Sequence, residues 1–128
     1  MTLLLDTHTA LWMVNEHEKL SSNAKAMLLN DAHTLYFSIA SLWEIAIKIS
    51  IGKLSDLSGG VEVFLAQIND MPINLLPITP RYVKIVETLP FIHRDPFDRM
   101  LVATAKAESM TILTTDENIQ KYDVPSAW

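Results

Sequence analysis

The chain has 128 residues, 49% of them hydrophobic and 20% charged. This composition excludes disordered and collagen-like proteins and predicts one domain over residues 1–128. Cysteine is missing, which excludes disulfides, thiolate zinc sites and cysteine nucleophiles and suits a cytoplasmic protein. Apolar runs are shorter than the roughly 20 residues that span a bilayer. Because Asp6 also interrupts the apolar N-terminus, we expect neither a membrane segment nor a secretory signal.

The charge balance of the chain is acidic. Ten Lys and Arg against fifteen Asp and Glu give a net charge of −5, whereas a domain that binds nucleic acid is usually basic. Action on nucleic acid is compatible with this charge if several carboxylates gather in one metal site. The glycines, at Gly52, Gly59 and Gly60, form neither a dinucleotide-binding motif nor a P-loop.

Strand-like and helix-like segments alternate along the chain. In order, we predict a strand at Thr2–Leu5, helices at Thr7–Asn15 and from Ser21 or Ser22 to about Asn30, a strand at Thr34–Ile39, helices at Ala40–Ile51 and Ser58–Asn69, a strand at Ile73–Ile78, helices from Pro80 to about Thr88 and from Asp95 to about Glu108, a strand at Thr111–Thr115, a short helix, and a last strand near Tyr122–Val124. This alternation is typical of a parallel sheet covered by helices on both faces. The sequence therefore predicts an α/β fold.

The helix predicted at Ala40–Ile51 is apolar on more than one face. One apolar stripe follows the helical period and is predicted to face the core. That stripe consists of Ile39, Leu42, Trp43, Ala46 and Ile47. Ile45 and Ile49 lie off the stripe, which indicates a second buried contact.

Acidic residues occur where an α/β sheet places its functional sites. Asp6 directly follows the first predicted strand, and Asp116 directly follows the fourth. Since sites in open α/β sheets form at the carboxyl ends of the strands, we expect these two carboxylates at one edge. Asp98 lies in the first turn of the helix that precedes the fourth strand, and Glu44 lies in the helix that follows the second strand. All four acids can therefore gather at that edge.

Each acid also has a purely structural interpretation. Both strand-end acids can cap the helices that follow them. Asp98 is a favourable acid in a first turn, for which Asp95 is the better N-cap. Glu44 completes a capping box over residues 41–44 and forms an i, i+4 pair with Lys48.

Taken together, the four acids predict a divalent metal site. Carboxylates packed together repel one another, and a cation relieves this repulsion. Oxygen ligands without cysteine favour Mg²⁺ or Mn²⁺ over zinc. Such a cation activates water and stabilises charge on a phosphoryl group, which is the chemistry of phosphodiester hydrolysis. The pattern leaves open whether one or two ions bind.

Several polar residues flank the acids and have two interpretations each. Thr7 and Thr115 can position water at the metal or can simply be β-forming residues. Arg99, Arg94 and Lys48 can contact RNA phosphates or form ion pairs. His8, His17, His33 and His93 show no metal-ligand spacing. His8 is next to the proposed site and can touch substrate, although a partly exposed structural role is the simpler interpretation for it.

With the acids placed in this way, the sequence resembles the PIN-domain ribonucleases, in particular the VapC-type toxins of bacterial toxin–antitoxin modules. The Trp-Glu and Asp-Pro-Phe-Asp-Arg segments are the most specific part of this resemblance. The matching segments are Leu3–His8, Ser41–Lys48, Gly52–Leu54, His93–Ala103 and Leu113–Asp116.

The resemblance implies a three-layer α/β/α sandwich around a parallel sheet of four to five strands. It implies Mg²⁺- or Mn²⁺-dependent cleavage of RNA, a homodimer, and a cognate antitoxin protein that lies along an apolar groove near the site. Asp6, Glu44 and Asp98 match the three core acidic positions of the family. Asp116 matches the fourth, which varies more. We expect Ile45 and Ile49 to belong to such a groove or to a dimer interface. The positive mean hydropathy of +0.19 agrees with this expectation.

Two alternatives remain open. Leu3–Thr9 superficially resembles the strand and nucleophile of haloacid-dehalogenase-type phosphatases, although His8 stands where the second Asp of that motif belongs. A non-catalytic interaction domain that binds a partner through its apolar faces is the other alternative.

Overall fold

The structure, a computed structural model, describes residues 1–55 and 57–128. In this part of the chain the strands are β1 (Thr2–Leu5), β2 (Thr34–Ser38), β3 (Ile73–Leu76), β4 (Thr111–Leu113) and β5 (Ser126–Ala127). The α-helices are α1 (Thr7–Asn15), α2 (Ser22–Leu29), α3 (Ile39–Ser50), α4 (Gly60–Asn69), α5 (Pro80–Thr88), α6 (Pro96–Glu108) and α7 (Glu117–Gln120), and His17–Lys19 forms a 3₁₀ turn. None of the helices in the described residues is both long and apolar enough to span a membrane.

The described strands form one sheet, which is parallel throughout and has the order β3–β2–β1–β4–β5. Leu5, the last residue of β1, lies opposite Phe37 of β2 and Leu113 of β4. The carboxyl ends of the central strands are therefore nearly level. The residues that follow β1 and β4 emerge side by side at this edge.

Helices cover both faces of the sheet, and each face has its own core. Leu4 and Leu5 are successive residues of β1, so their side chains point to opposite faces. Leu4 packs in the core formed with α5 and α6, and Leu5 packs in the core formed with α1 to α4. The predicted α/β/α sandwich around a parallel sheet is therefore confirmed.

The last predicted strand was wrong. The chain pairs with β4 at Ser126–Ala127 rather than at Tyr122–Val124. Tyr122 is buried just after α7, and its hydroxyl donates a hydrogen bond to the carbonyl oxygen of Pro90 at 2.7 Å. A buried turn produced the same apolar alternation as a strand. The fourth strand is also shorter than predicted. It ends at Leu113, so Thr114 and Thr115 lie beyond it.

The predicted orientation of α3 was also wrong. Trp43 of the predicted core stripe is 58% exposed, whereas Ile45 is fully buried in the core. Ile49 packs against the same core and is partly buried. The hypothesis that Ile45 and Ile49 form a partner groove therefore loses its basis. Because α3 is apolar on two sides, helical periodicity did not distinguish the inner face from the outer one.

Candidate active site

Asp6 is anchored at the carboxyl end of β1 by two hydrogen bonds. Its side chain is buried and caps α1, because Oδ1 accepts the backbone N–H of Thr9 at 2.7 Å. Its other oxygen, Oδ2, accepts a hydrogen bond from the Thr114 hydroxyl. The capping interpretation of Asp6 is thus confirmed. The cap places the carboxylate at the sheet edge where the other acids were expected.

Thr114 joins the two acids that follow the central strands. Besides donating to Asp6, its hydroxyl accepts the backbone N–H of Asp116 at 2.9 Å. Sequence reasoning singled out the neighbouring Thr115, whose side chain is exposed and does not make this contact.

Glu44 is held close to Asp6 by Thr7, the residue that follows Asp6 in the chain. The Thr7 hydroxyl donates to Glu44 Oε1 at 2.6 Å, and the Lys48 ammonium lies 3.1 Å from Glu44 Oε2. The predicted ion pair of Glu44 with Lys48 is therefore confirmed. Glu44 is buried on the inner face of α3, where its charge would be unfavourable without these partners.

The capping box predicted for α3 does not form. The N-cap of this helix is Ser38, whose hydroxyl accepts the backbone N–H of Ala40 at 3.0 Å. Ser41 lies inside the helix, and its buried Oγ has no hydrogen-bond partner among the described residues. Since Ser41 precedes Glu44 by three residues, the two share one helix face. An unsatisfied buried hydroxyl next to a carboxylate is compatible with a site that holds ordered water or an ion.

Asp98 lies in the first turn of α6, and Asp95 caps that helix as expected. The Asp95 Oδ1 atom accepts the backbone N–H groups of Phe97 and Asp98 at 2.8 and 3.1 Å. This leaves the Asp98 carboxylate to face other partners. Its Oδ2 lies 2.9 Å from Nε2 of His93.

His93 is, after Thr114, a second residue of this site that sequence reasoning missed. Its Nε2 lies 3.2 Å from Oδ2 of Asp116 as well as close to Asp98. Within the described residues, His93, Asp98 and Asp116 form a group whose ligating atoms all lie within 4.8 Å of one another. Asp6 and Glu44 are not members of that close group. The sequence shows no metal-ligand spacing at His93, because the contact of His93 with Asp116 depends on how the segment before α6 packs against the start of α7.

Asp116 is the N-cap of α7, as its structural interpretation predicted. Its Oδ1 accepts the backbone N–H groups of Asn118 and Ile119 at 2.8 and 3.1 Å. Burial acts to raise the pKa of Asp116, but the hydrogen bonds from Ile119, His93 and Asn118 outweigh it and lower the pKa. Asp116 is therefore a stably ionised carboxylate.

Asp98 has the opposite electrostatic environment. Burial raises its pKa to about 7, and the negative charges of Asp95, Glu44 and Asp116 act in the same direction, while His93 partly opposes them. Excess negative charge at this edge thus disfavours ionisation of Asp98. A bound cation would relieve this repulsion, and the oxygen donors of Asp6, Glu44, Asp98 and Asp116 are of the kind that Mg²⁺ and Mn²⁺ prefer.

Arg99, which the sequence offered as an RNA contact, is instead a structural residue. It is only 5% exposed, and its guanidinium donates to the carbonyl oxygens of Pro90, Val86 and Leu89 at 2.9, 3.1 and 3.3 Å. The guanidinium also donates to the Tyr122 hydroxyl at 3.2 Å. A buried group with these partners is not available to phosphates, so the expected substrate role of Arg99 is wrong.

A cleft of about 190 Å³ lies beside α1, and its lining contains residues next to the acids rather than the acids themselves. It reaches the acids through Lys48, the partner of Glu44, and through His8, which follows Thr7. The His8 and Trp12 rings are 5.8 Å apart in its wall. The remaining lining residues are Leu11, Asn15, Glu16, Lys19, Leu54 and Leu57.

The parallel sheet in the order β3–β2–β1–β4–β5 and the acids near its carboxyl edge describe an α/β protein with a candidate metal site. The chain matches the PIN domain family over residues 3–125 and belongs to that family. It is similar to a protein named Ribonuclease VapC22 from Mycobacterium tuberculosis (strain ATCC 25618 / H37Rv), with 28% identity over 132 residues that cover 97% of this chain and 94% of the relative.

Solved structures with the same fold include two VapBC assemblies. VapBC2 from Rickettsia felis, bound to a DNA fragment from the promoter, matches with a TM-score of 0.75 and 16% identity over 100% of this chain and 99% of the other. VapBC-5 from Mycobacterium tuberculosis, described as a member of a family of toxin–antitoxin systems, matches with a TM-score of 0.64 and 14% identity over 98% of this chain and 95% of the other.

Proposed function

We propose that this protein is a metal-dependent ribonuclease that acts as the toxin of a toxin–antitoxin pair in the cytoplasm. The observation that carries this proposal is the group of acids at the carboxyl edge of the sheet, where burial, reinforced by the neighbouring negative charges, raises the pKa of Asp98 to about 7. Membership of the PIN domain family and the ribonuclease name of the relative support the same activity. The toxin role is supported by the VapBC assemblies among the structures that share the fold.

In this proposal Asp6, Glu44, Asp98 and Asp116 hold Mg²⁺ or Mn²⁺. When bound, the cation supplies Lewis-acid activation of water and of the phosphodiester. The protein contributes carboxylates whose positions are fixed beforehand. Thr9 and Thr114 orient Asp6, and Thr7 orients Glu44.

Water, rather than a side chain, attacks the phosphodiester in this mechanism. One carboxylate of the site accepts the proton of that water as general base. The lysine paired with Glu44, Lys48, is 28% exposed and can also meet a substrate phosphate. Neither a protein nucleophile nor the 2′-hydroxyl of the RNA is required.

The cleft beside Glu44 suits a base of single-stranded RNA. Unstacked bases bind on aromatic side chains, and Lys residues nearby contact the phosphates. His8 and Trp12 provide the aromatic surface, and Lys48 lies between this surface and the acids. The cleft is smaller than the about 300–1,000 Å³ of typical ligand pockets, so we assign to it one base rather than a longer segment.

We further propose that the outer face of α3 forms the homodimer interface. Trp43 packs edge-to-face on Phe97 of α6, with ring centroids 5.2 Å apart, and both rings border an apolar depression of about 190 Å³. Ile47 and Ile51 are also exposed on this helix and its end. Contiguous exposed apolar surface of this kind is typical of protein–protein contacts, in which aromatic residues are enriched. The cognate antitoxin is a separate partner in this proposal.

The activity is tested by incubating total RNA and transfer RNA with the antitoxin-free protein in Mn²⁺, in Mg²⁺ and in chelator. We expect cleavage in either metal and none in chelator. Asp98→Asn should abolish cleavage, and Asp70→Asn, which changes an exposed acid at the end of α4, should retain it. Cleavage by Asp98→Asn at the wild-type rate would overturn the site.

A failure of the wild-type protein to cut in every lane would favour the interaction-domain alternative if calorimetry also detects no Mn²⁺ binding. Release of phosphate through a covalent aspartyl-phosphate on Asp6 would instead favour the phosphatase alternative.

A further inference from the structure

His93 lies between two of the candidate metal-site carboxylates. Its Nε2 is 2.9 Å from Oδ2 of Asp98 and 3.2 Å from Oδ2 of Asp116. Such an imidazole nitrogen either carries a proton and donates a hydrogen bond to the carboxylates, or carries a lone pair and can bind a cation. The two arrangements assign different roles to His93.

The other ring nitrogen distinguishes between them. Nδ1 of His93 lies 3.2 Å from the backbone nitrogen of Asp95, which donates to it. A backbone N–H has no acceptor capacity, so Nδ1 must present its lone pair. In a neutral imidazole the single proton then resides on Nε2. Nε2–H therefore points its proton toward the carboxylates, and the ring's lone pair is already engaged.

The loop that carries His93 is fixed by a buried network. The backbone N–H of His93 donates to the Tyr122 hydroxyl at 3.0 Å, and that hydroxyl donates to the Pro90 carbonyl oxygen at 2.7 Å. Arg99 donates to both of these oxygens. The backbone of His93 is thus fixed by this network, and its ring is fixed by the backbone N–H of Asp95.

We propose that His93 is a positioning residue that donates one shared hydrogen bond from Nε2 to Asp98 and Asp116 and is not itself a metal ligand. Two ionised carboxylates at this separation repel each other, and an N–H between them reduces that repulsion. His93 thereby keeps both carboxylates close together before a cation binds. The role is that of the outer-shell partners that orient metal ligands in other sites.

Asp116 provides a second reason for this assignment. Its Oδ1 is committed to the N-terminus of α7 through Asn118 and Ile119, and its Oδ2 faces His93. The orientation of this carboxylate is therefore set from both sides. Loss of the His93 donor releases one of the two restraints and leaves Asp98 without its partner.

The test compares His93→Ala with His93→Gln. The Gln side-chain amide can place an N–H donor near the position of Nε2, whereas Ala removes the donor and the ring. Calorimetric Mn²⁺ titration should show binding about 10-fold or more weaker for His93→Ala. His93→Gln should recover most of the wild-type affinity. Far-UV circular dichroism checks that both variants are folded.

Two results of the titration would overturn the inference. Wild-type Mn²⁺ affinity in His93→Ala would remove the positioning role, and equal losses in the Ala and Gln variants would indicate a ligand or a requirement for the ring. The inference depends on the proposed metal site, and the wild-type titration separates the two. If the wild-type protein binds no Mn²⁺, the proposed function fails as well.

A second measurement reports directly on the protonation of the His93 ring in the wild-type protein. Nitrogen NMR shifts of the metal-free protein should show His93 with its proton on Nε2 and an unprotonated Nδ1. The His93 signals are identified by their absence from His93→Gln. A proton on Nδ1, with the Nε2 lone pair directed at the carboxylates, would contradict the proposal.

Discussion

Thr114 and Asp6 are 108 positions apart in the chain, and the Thr114 hydroxyl donates a hydrogen bond to Oδ2 of Asp6. The same hydroxyl accepts the backbone N–H of Asp116. One buried side chain thus connects the ends of β1 and β4 and sets the relative position of two acids. This contact joins the fold to the candidate site, since it is made after both strands have ended.

Replacing Thr114 tests this connection. Thr114→Val keeps the shape of the side chain but removes the hydroxyl partner of Asp6 Oδ2 and of the Asp116 N–H. We expect a loss of about 1–3 kcal/mol in the free energy of unfolding, the usual effect of an unsatisfied buried polar group, together with reduced cleavage. Urea denaturation measures the first effect and RNA cleavage the second. Thr114→Ser retains the hydroxyl and should behave like the wild-type protein; if it loses as much stability as Thr114→Val, the hydrogen bond is not the cause.

The raised pKa of Asp98 predicts a dependence of stability on pH. Its pKa rises from 3.8 to about 7 in the metal-free native state, so between these values the native state binds more protons than the unfolded state. Stability therefore falls as the pH rises through this interval and stays low above it. Asp98→Asn removes the charge and should stabilise the metal-free protein at pH 8 by about 1 kcal/mol or more.

The sign of this effect is checked by thermal melts in chelator. The difference in Tm between Asp98→Asn and the wild-type protein should be large at pH 8 and near zero at pH 4. Mn²⁺ should raise the Tm of the wild-type protein more than that of the variant, because the cation binds the carboxylate. An equal difference at both pH values would mean that Asp98 titrates normally.

Arg99 should affect stability rather than substrate binding. Arg99→Ala removes one donor each from the carbonyl groups of Val86, Leu89 and Pro90. Val86 keeps the N–H of Leu89 and Pro90 keeps the Tyr122 hydroxyl, whereas the buried Arg99 site loses its other contacts. We expect a loss of about 3 kcal/mol in the free energy of unfolding, measured by urea denaturation. Arg94→Ala changes an exposed neighbour and should alter stability by less than about 0.5 kcal/mol. An Arg99→Ala protein with wild-type stability and weakened RNA binding would restore the substrate role that the structure argues against.

Trp12 should contribute to RNA binding through its ring. In the inactive Asp98→Asn background, Trp12→Ala should weaken the binding of single-stranded RNA about 10-fold, within the range expected for one stacked base. Trp12→Phe keeps an aromatic surface and should lose much less. Fluorescence anisotropy of a labelled oligonucleotide measures both. Unchanged binding by the Ala variant would remove the base from this cleft.

Trp43 should contribute to self-association. The side chain is 58% exposed, so Trp43→Glu should fold normally but shift the protein from dimer to monomer in light scattering after gel filtration. Leu29→Glu is the matched control, because Leu29 is a 79% exposed apolar residue on α2. The proposed interface is wrong if the two variants have the same mass, or if the wild-type protein is already a monomer.

Much of the architecture followed from local patterns. Asp95 before Pro96 marked the start of α6, and the apolar run ending at Asp6 marked β1. These features depend on neighbouring residues, since a capping residue and an uninterrupted apolar run are recognised within a few positions of the chain. The position of Asp6 at the end of β1 was readable for the same reason, whereas β4 ends at Leu113 and Thr114 and Thr115 separate it from Asp116.

Other features required contacts between distant segments. Which face of α3 packs inward depends on its contacts with the sheet and with α4, because both faces of that helix are apolar. The contacts of His93 with Asp116 and of Thr114 with Asp6 arise only when loops from different strands and helices meet. The sequence alone suggested a surface cation at Arg99, whereas in the fold the carbonyl groups at the end of α5 surround its guanidinium. Helix starts and strand ends are properties of short stretches of sequence, whereas the direction in which a side chain is buried depends on all the elements packed around it.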